Sequence, residues 1–241
     1  MTEPKNVLVV IPAHNESRHI GKIVEQIKNC LHETDILVVD DGSSDETKKY
    51  AQQAGAMVVS LPINLGYGAA LQTGYKYAQV KKYDYLLQMD ADGQHEPKYL
   101  KDLLEAIKTK KADIIIGSRF LSKVKYHPSL IRRLGMIFFA KLTTSIIKQK
   151  ITDPTSGFQA MNRRILNFFT DDFYPSDYPD ADVIIYLHRA GFRIKEMPVV
   201  MYPASNKKSI HSGFKPLYYI FKMFLSILMI FLRKRPYKKG E

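Results

Sequence analysis

Tyr85-Leu86-Leu87-Gln88-Met89-Asp90-Ala91-Asp92-Gly93-Gln94-His95 is the stretch on which the reading of this chain turns. Its first five residues are mostly apolar and of strand length, and the rest is polar and acidic. Two carboxylates two residues apart, just past a strand end, can face one hard cation. Mg2+ or Mn2+ held by one or two carboxylates also takes substrate phosphate oxygens, and Gln94 offers a third oxygen on the same alternation. A solvated acidic turn has the same sequence, because short acidic motifs recur by chance.

Working outward, strands and helices alternate over the first 120 residues. Val7–Ile11 is a β-branched run stopped by Pro12, and Ile36–Val39, Ala56–Leu61 and Asp113–Ile116 read as further strands. Between them Ser17–Leu31 has helical spacing at Ile20, Ile23, Val24, Ile27 and Leu31. Ser43 with Glu46 forms a capping box for a helix reaching about Ala54, and Gly68–Val80 and Tyr99–Lys110 are helical. Such alternation implies an α/β fold with a doubly wound, mostly parallel sheet, whose ligands bind at the carboxyl ends of the strands. The polar clusters sit there: Pro12–Glu16, Asp40–Ser43, Asp90–His95 and Gly117–Arg119. Asp40-Asp41 can accept hydrogen bonds from a base or ribose, or Ser43 or Asp41 can simply cap a helix. Asn15 or Ser17 can likewise be a cap and His14 a surface residue. Asn64-Leu65-Gly66-Tyr67-Gly68 lacks the third glycine of a dinucleotide loop, since Leu71 stands there, and the chain has no P-loop.

The second half is less regular. Leu130–Ile147 reads as a helix with Arg132 and Arg133 near its start, Asp153–Gly157 as a loop, Asp182–Ala190 as a helix ended by Gly191, and Ile194–Val200 as a strand. Leu217–Leu232 is apolar except for a stripe at Tyr218, Lys222 and Ser226, and a basic tail follows over Arg233–Lys239. At sixteen residues it is short of the ~20 needed to span a bilayer. It can lie in a membrane interface with its basic end on anionic lipid, as can Met136–Ile147; both can equally be core or dimer helices.

The 241 residues suit one large domain with an appendage, and 25% charged residues exclude wholesale disorder. The net charge of +12 lies entirely in the second half: residues 1–120 hold 15 Lys and Arg against 16 Asp and Glu, and residues 121–241 hold 21 against 8. A basic half points to an anionic partner. Cys30 is the single cysteine, which excludes a disulfide framework and fits a reducing compartment. The N-terminus does not read as a signal peptide.

Taken together, the blocks resemble the inverting family 2 glycosyltransferases of GT-A fold, and among them the dolichyl- or polyprenyl-phosphate sugar transferases. The matching residues are Pro12-Ala13-His14-Asn15-Glu16, Val38-Val39-Asp40-Asp41-Gly42-Ser43, Asn64-x-Gly66-x-Gly68, Asp90–His95, Gly117-Ser118-Arg119, Asp153-x-x-Ser156-Gly157-Phe158, and Arg189–Phe192 leading to Glu196–Val199. The resemblance implies a GT-A-like domain over residues 1–212 and an amphipathic, membrane-surface helix and basic tail over 213–241. It places a nucleotide diphosphosugar donor at Pro12, His14, Glu16, Asp41, Gly68, Asp90, Asp92 and Arg119, with Val39 beside the base. It gives Asp90, Asp92 and Gln94 to a Mg2+ or Mn2+ ion. Asp180, with Asp182 as near alternative, stands where the family carries its general base, and Arg132, Arg133 and Ser156 would meet the acceptor.

One segment departs from the dolichyl-phosphate mannosyltransferase pattern. Aligned through Ser209, Ala204 replaces an arginine, Lys207 a glycine and Ile210 a lysine; Lys208 or Lys207 would have to supply the lost cation without the arginine fork. The implied reaction is metal-dependent inverting transfer of a hexose to polyprenyl phosphate, at the cytoplasmic inner face of a membrane. Transfer to a glycan or lipid-linked oligosaccharide in cell-surface polysaccharide synthesis is the alternative, and a sugar-nucleotide binder without turnover a third reading. A nucleic-acid partner is disfavoured: strand-end carboxylates repel a phosphate backbone and no recognition motif is present.

Overall fold

The computed structural model describes residues 6–122, 130–170, 174–175, 179–202 and 215–232, without the side chains of 130–132 and 215–220. Ala204, Lys207, Lys208, Ile210, the basic tail and the Arg132 side chain therefore lie outside the described residues.

Among the described residues seven strands build one sheet: β1 (Val7–Ala13), β2 (Asp35–Asp40), β3 (Met57–Ser60), β4 (Tyr85–Gln88), β5 (Ile114–Ser118), β6 (Gln159–Asn162) and β7 (Ile194–Pro198). Their order is β3-β2-β1-β4-β6-β5-β7. All run parallel except β6, which is antiparallel to both β4 and β5. Among the described residues the helices are α1 (Ile20–Cys30), α2 (Thr47–Gln53), α3 (Tyr67–Val80), α4 (Tyr99–Lys108), α5 (Leu130–Ile147), α6 (Arg163–Phe169), α7 (Ala181–Arg189) and α8 (Lys215–Leu232).

The two-residue period of the strands divides the core in two. Leu8 and Val10, Leu37 and Val39, Leu86, Ile114 and Ile116 face the layer of α3, α5, α6, α7 and α8. Val7, Val9 and Ile11, Ile36 and Val38, Leu87 and Ile115 face α1, α2 and α4. Every strand side chain from Val7 to Ala13 is buried because both faces of β1 are covered. On α1, Ile20, Ile23, Val24 and Ile27 form the buried stripe, each contributing about 1.5–3 kcal/mol of burial.

Three details differ from the sequence expectation. The Ser43–Glu46 capping box does not form. Ser43 Oγ instead accepts from the Asn15 N–H at 2.9 Å, and α2 begins at Thr47, whose N–H donates to Asp45 Oδ1 at 3.0 Å. Second, the segment after Phe158 forms β6 and then α6, whose cap is Asn162, its side chain accepting from the Ile165 N–H at 3.2 Å. Third, the final strand stops at Pro198 rather than Val200.

α8 packs on α7 through Met223, Ile227 and Ile230, which join the same core as the sheet. Of its polar stripe, Ser226 faces the protein and meets Asp182. The apolar residues Phe221, Phe224, Leu225, Leu228, Met229, Phe231 and Leu232 are exposed. Phe138 of α5 contacts Phe224 with ring centroids 5.8 Å apart, so this surface continues onto α5 at Leu134, Ile137 and Phe138. Among the described residues no helix is long and apolar enough to cross a membrane.

Candidate active site at the strand ends

The carboxyl ends of β1, β2, β4 and β5 open on one edge of the sheet. Past β1, Asn15 adopts a left-handed conformation (φ 56°), which asparagine tolerates better than most residues. Its side chain accepts from the Ser44 N–H at 2.9 Å, and His14 Nδ1 lies 2.7 Å from the Asp41 carbonyl. The β1 and β2 loops are thus tied to each other. Asp41, buried past β2, accepts from the N–H groups of Leu65 (2.7 Å) and Gly66 (3.0 Å), anchoring the loop that opens α3. Gly42 must be glycine: it has φ 62°, and a Cβ would lie 2.5 Å from the Ile63 carbonyl carbon.

Asp90 leaves β4 into a fixed setting. Tyr67 donates its hydroxyl to Asp90 Oδ1 at 2.7 Å, and His95 Nε2 lies 3.1 Å from Oδ2. Burial pushes the Asp90 carboxyl up, but the His95 hydrogen bond and charge, the Tyr67 hydroxyl and the Arg119 charge outweigh it and hold the carboxyl below its usual range. Burial, and then Asp90 itself, push the Tyr67 phenol well up, so that Tyr67 stays a donor. Gly157 closes over this pair: a Cβ there would come within 2.7 Å of both Tyr67 Oη and Asp90 Oδ2.

Asp92 accepts from the Gln94 N–H at 3.0 Å and from the Gln94 side-chain amide. That contact leaves Gln94 Oε1 buried without a hydrogen-bond partner. A buried orphan acceptor beside a carboxylate is a setting that a hard cation satisfies. Among the described residues no three His, Cys, Asp or Glu side chains gather into a metal cage. The Asp92 carboxylate and the orphan Gln94 oxygen suit Mg2+ or Mn2+, which take few protein ligands.

The far wall comes from β5 and the loop before β6. Arg119 forks onto Asp153, Nε to Oδ2 at 2.6 Å and a terminal nitrogen to Oδ1 at 2.7 Å, and reaches the Thr155 hydroxyl at 3.1 Å. Both partners of the ion pair are buried. Glu196 of β7 accepts from the N–H groups of Thr152 (2.9 Å) and Asp153 (2.8 Å), fixing the loop from below, and burial pushes its carboxyl up. Ser156 donates its hydroxyl to the Gly117 carbonyl at 2.6 Å.

Asp180 is the residue just before α7. It lines a small cleft with Gln88, Gln159 and Tyr174, whose remaining wall is apolar (Ile114, Phe169, Val183). Gln88 donates to Tyr67 Oη at 3.2 Å, so the cleft adjoins the Asp90 cluster. Asp182 points the other way, into the α7–α8 contact. Of the expected site residues, the structure brings Asp90, Asp92, Gln94, Arg119 and Asp180 to the strand ends, along with the loops of His14, Glu16 and Asp41. Pro12 is buried within β1, Val39 is in the core of β2, Gly68 is buried in the first turn of α3, and the Ser156 hydroxyl is turned inward. Arg133 is exposed on the first turn of α5. Tyr67, His95 and Asp153 were given no role by the sequence. Each stands inside or beside a motif, and only the folded distances disclose what it touches.

The sequence pattern of the family described as glycosyl transferase family 2 matches residues 8–169. The undecaprenyl-phosphate mannosyltransferase of Micrococcus luteus is 32% identical over 86% of this chain and 88% of its own length. The polyprenol monophosphomannose synthase of Mycolicibacterium smegmatis is 32% identical over 67% of this chain and 63% of its own. Among solved structures, the glucosyl-3-phosphoglycerate synthase of Mycobacterium tuberculosis, in complex with Mn2+ and uridine-diphosphate-glucose, matches with a TM-score of 0.69 at 22% identity. The match covers 92% of this chain and 79% of that one, and it shows the shared GT-A fold. The chain belongs to glycosyl transferase family 2 and is a glycosyltransferase of GT-A fold.

Proposed function

We propose that this glycosyltransferase moves a hexose, with inversion, from a nucleotide diphosphosugar to the phosphate of a polyprenyl phosphate at a membrane surface. The observation that carries the reading is the Asp90–Asp92–Gln94 cluster adjoining the Asp180 cleft at one sheet edge. The relative from Micrococcus luteus, an undecaprenyl-phosphate mannosyltransferase by name, supports the acceptor class. The Mn2+ and uridine-diphosphate-glucose complex of the structural neighbour supports the donor class.

Asp92 and Gln94, with Asp90 beside them, would hold Mg2+ or Mn2+; a bound divalent ion neutralises charge developing on a diphosphate leaving group. The chain's own residues do the rest. Tyr67 and His95 keep Asp90 ionised and oriented, and Asp41 holds the 64–66 loop against the β1 and β2 loops where the nucleotide would lie. Arg119 and Asp153 keep the far wall rigid. Asp180 faces the cleft from the acceptor side. A phosphate acceptor is already an anion and needs no base, so Asp180 would position it; a hydroxyl acceptor would need Asp180 to take its proton. The continuous apolar surface of α5 and α8 supports docking on a membrane, where a lipid-linked acceptor would reside; the inner face is the side this reading assigns.

A thermal-shift panel of UDP-, GDP- and dTDP-sugars with Mn2+ or EDTA tests the donor half, because a ligand bound by the native state raises its melting temperature. One nucleotide should give a metal-dependent shift, and that donor should then support transfer to polyprenyl phosphate. No shift at millimolar ligand would overturn the donor assignment. A shift with transfer only to a glycan would overturn the acceptor. Asp180→Asn separates the roles: it should strongly slow transfer to a hydroxyl and slow transfer to a phosphate less.

A further inference from the structure

α7 opens in an unusual way. The usual residue to cap a helix is the one just before its first turn, through its own side chain. Asp180 holds that position and is a good capping residue, yet its side chain makes no cap bond to α7. Asp182, two residues on, does the work. Its Oδ1 accepts from the N–H groups of Val183 at 2.8 Å and Asp180 at 3.1 Å. Asp182 is 2% exposed, and burial pushes its carboxyl up, so the position is costly to fill with an acid. Its other oxygen, Oδ2, accepts from the Ser226 hydroxyl at 2.5 Å. Ser226 belongs to α8. A second contact joins the same helices further on, where the Arg189 guanidinium lies 4.9 Å from the centroid of the Phe231 ring.

We propose that Asp182 is a positioning residue for Asp180 and that Ser226 of α8 orients it. Asp182 takes over the Val183 N–H that Asp180 would otherwise cap and holds the Asp180 N–H as well, so the Asp180 carboxylate is directed to the cleft. Its carboxylate is aimed by a hydroxyl on the helix that carries the exposed apolar surface. The α8 helix is then a structural part of the active site and not only an appendage to it. The inference rests on the reading that Asp180 meets the reacting groups.

The test uses the full chain with its stabilising donor and polyprenyl phosphate in detergent micelles. Ser226→Ala should lower kcat roughly tenfold, since small displacements of a reacting group cost at least that much, with donor KM within about twofold of the parent. Ser226→Thr keeps the hydroxyl and should restore kcat. Ser226→Ala should add little to Asp182→Asn and little to Asp180→Asn. An undiminished kcat in Ser226→Ala, or a full further loss in the Asp180→Asn background, would overturn the proposal. Hydrogen exchange of the Asp180 and Val183 amides reads the same link without turnover. Exchange should speed up in Ser226→Ala and return in Ser226→Thr; exchange indifferent to both variants overturns it. Wild-type protein that binds donor but transfers nothing would sink the proposed acceptor chemistry, and the exchange experiment would still decide the link.

Discussion

At the scale of single residues, Gly157 shows how closely the site is built. A methyl group there would stand 2.7 Å from Tyr67 Oη and Asp90 Oδ2, well inside van der Waals contact. Gly157→Ala should therefore push Asp90 out of its setting and weaken donor binding at least tenfold by calorimetry, while the melting temperature changes less than for a core cavity. Asp92→Ala should remove the metal dependence of donor binding; unchanged metal dependence would refute the assignment. Arg119→Ala should act on folding first. It leaves the buried Asp153 carboxylate without its fork, a defect worth about 3–5 kcal/mol in denaturant unfolding. The place of the Asp-x-Asp pair at a strand end was legible in the sequence because an apolar run of strand length leads into it. Tyr67 was not, because a tyrosine between two glycines signals nothing until α3 swings it onto Asp90. Arg119 shows the converse: the motif named the residue, but its partner Asp153 lies thirty-four residues away in sequence.

At the scale of elements, the strands with buried β-branched runs and the helices with clear apolar stripes were all legible, to within a few residues at their ends. β6 was not. Gln159-Ala160-Met161-Asn162 is too short and too polar at its ends to announce a strand, and it forms because two neighbours present open edges to it. The helix at α8 was legible, but its rotation was not. A polar stripe on an apolar helix usually faces water; here Ser226 turns inward because Asp182 is there to accept it. The two faces of α8 should accordingly separate by mutation. Phe221→Glu with Leu228→Glu should weaken binding to vesicles of anionic lipid, read by sedimentation, with little change in stability. Ile227→Ala should do the reverse and cost about 2–5 kcal/mol, as core truncations do.

At the scale of the whole molecule, the sheet is stitched on the side away from the site by Asp113. It accepts from the Arg193 backbone and guanidinium (2.9–3.1 Å), from Asn162 at 2.9 Å and from Arg164 at 3.3 Å, joining β5, β6 and β7. Burial alone would raise its carboxyl, but the Arg193 and Asn162 hydrogen bonds hold it down at about 2. A depressed carboxyl contributes stability that is present above its unfolded value of about 3.9 and is lost as pH falls through the folded value of about 2. Arg193→Ala should be less stable than the parent at pH 7 in urea, and the gap should narrow as pH falls from about 4 towards 2. An equal gap at pH 7 and pH 2.5 would refute this linkage.

The reversed strand also bears on how the chain is made. β3, β2, β1 and β4 pair among themselves within the first 88 residues, so the half of the site built on β1, β2 and β4 can assemble early in synthesis. The open side of β4 must then wait for residues 159–162, roughly seventy residues later in the chain, before the second half can attach. During that wait β4 presents an unpaired hydrophobic edge, the kind of surface that neighbouring nascent chains bind. Chains terminated before Gln159 should aggregate on release, and chains extended through Phe169 far less. Late arrival of β6 would make the insertion of this one short strand the commitment step of biosynthesis.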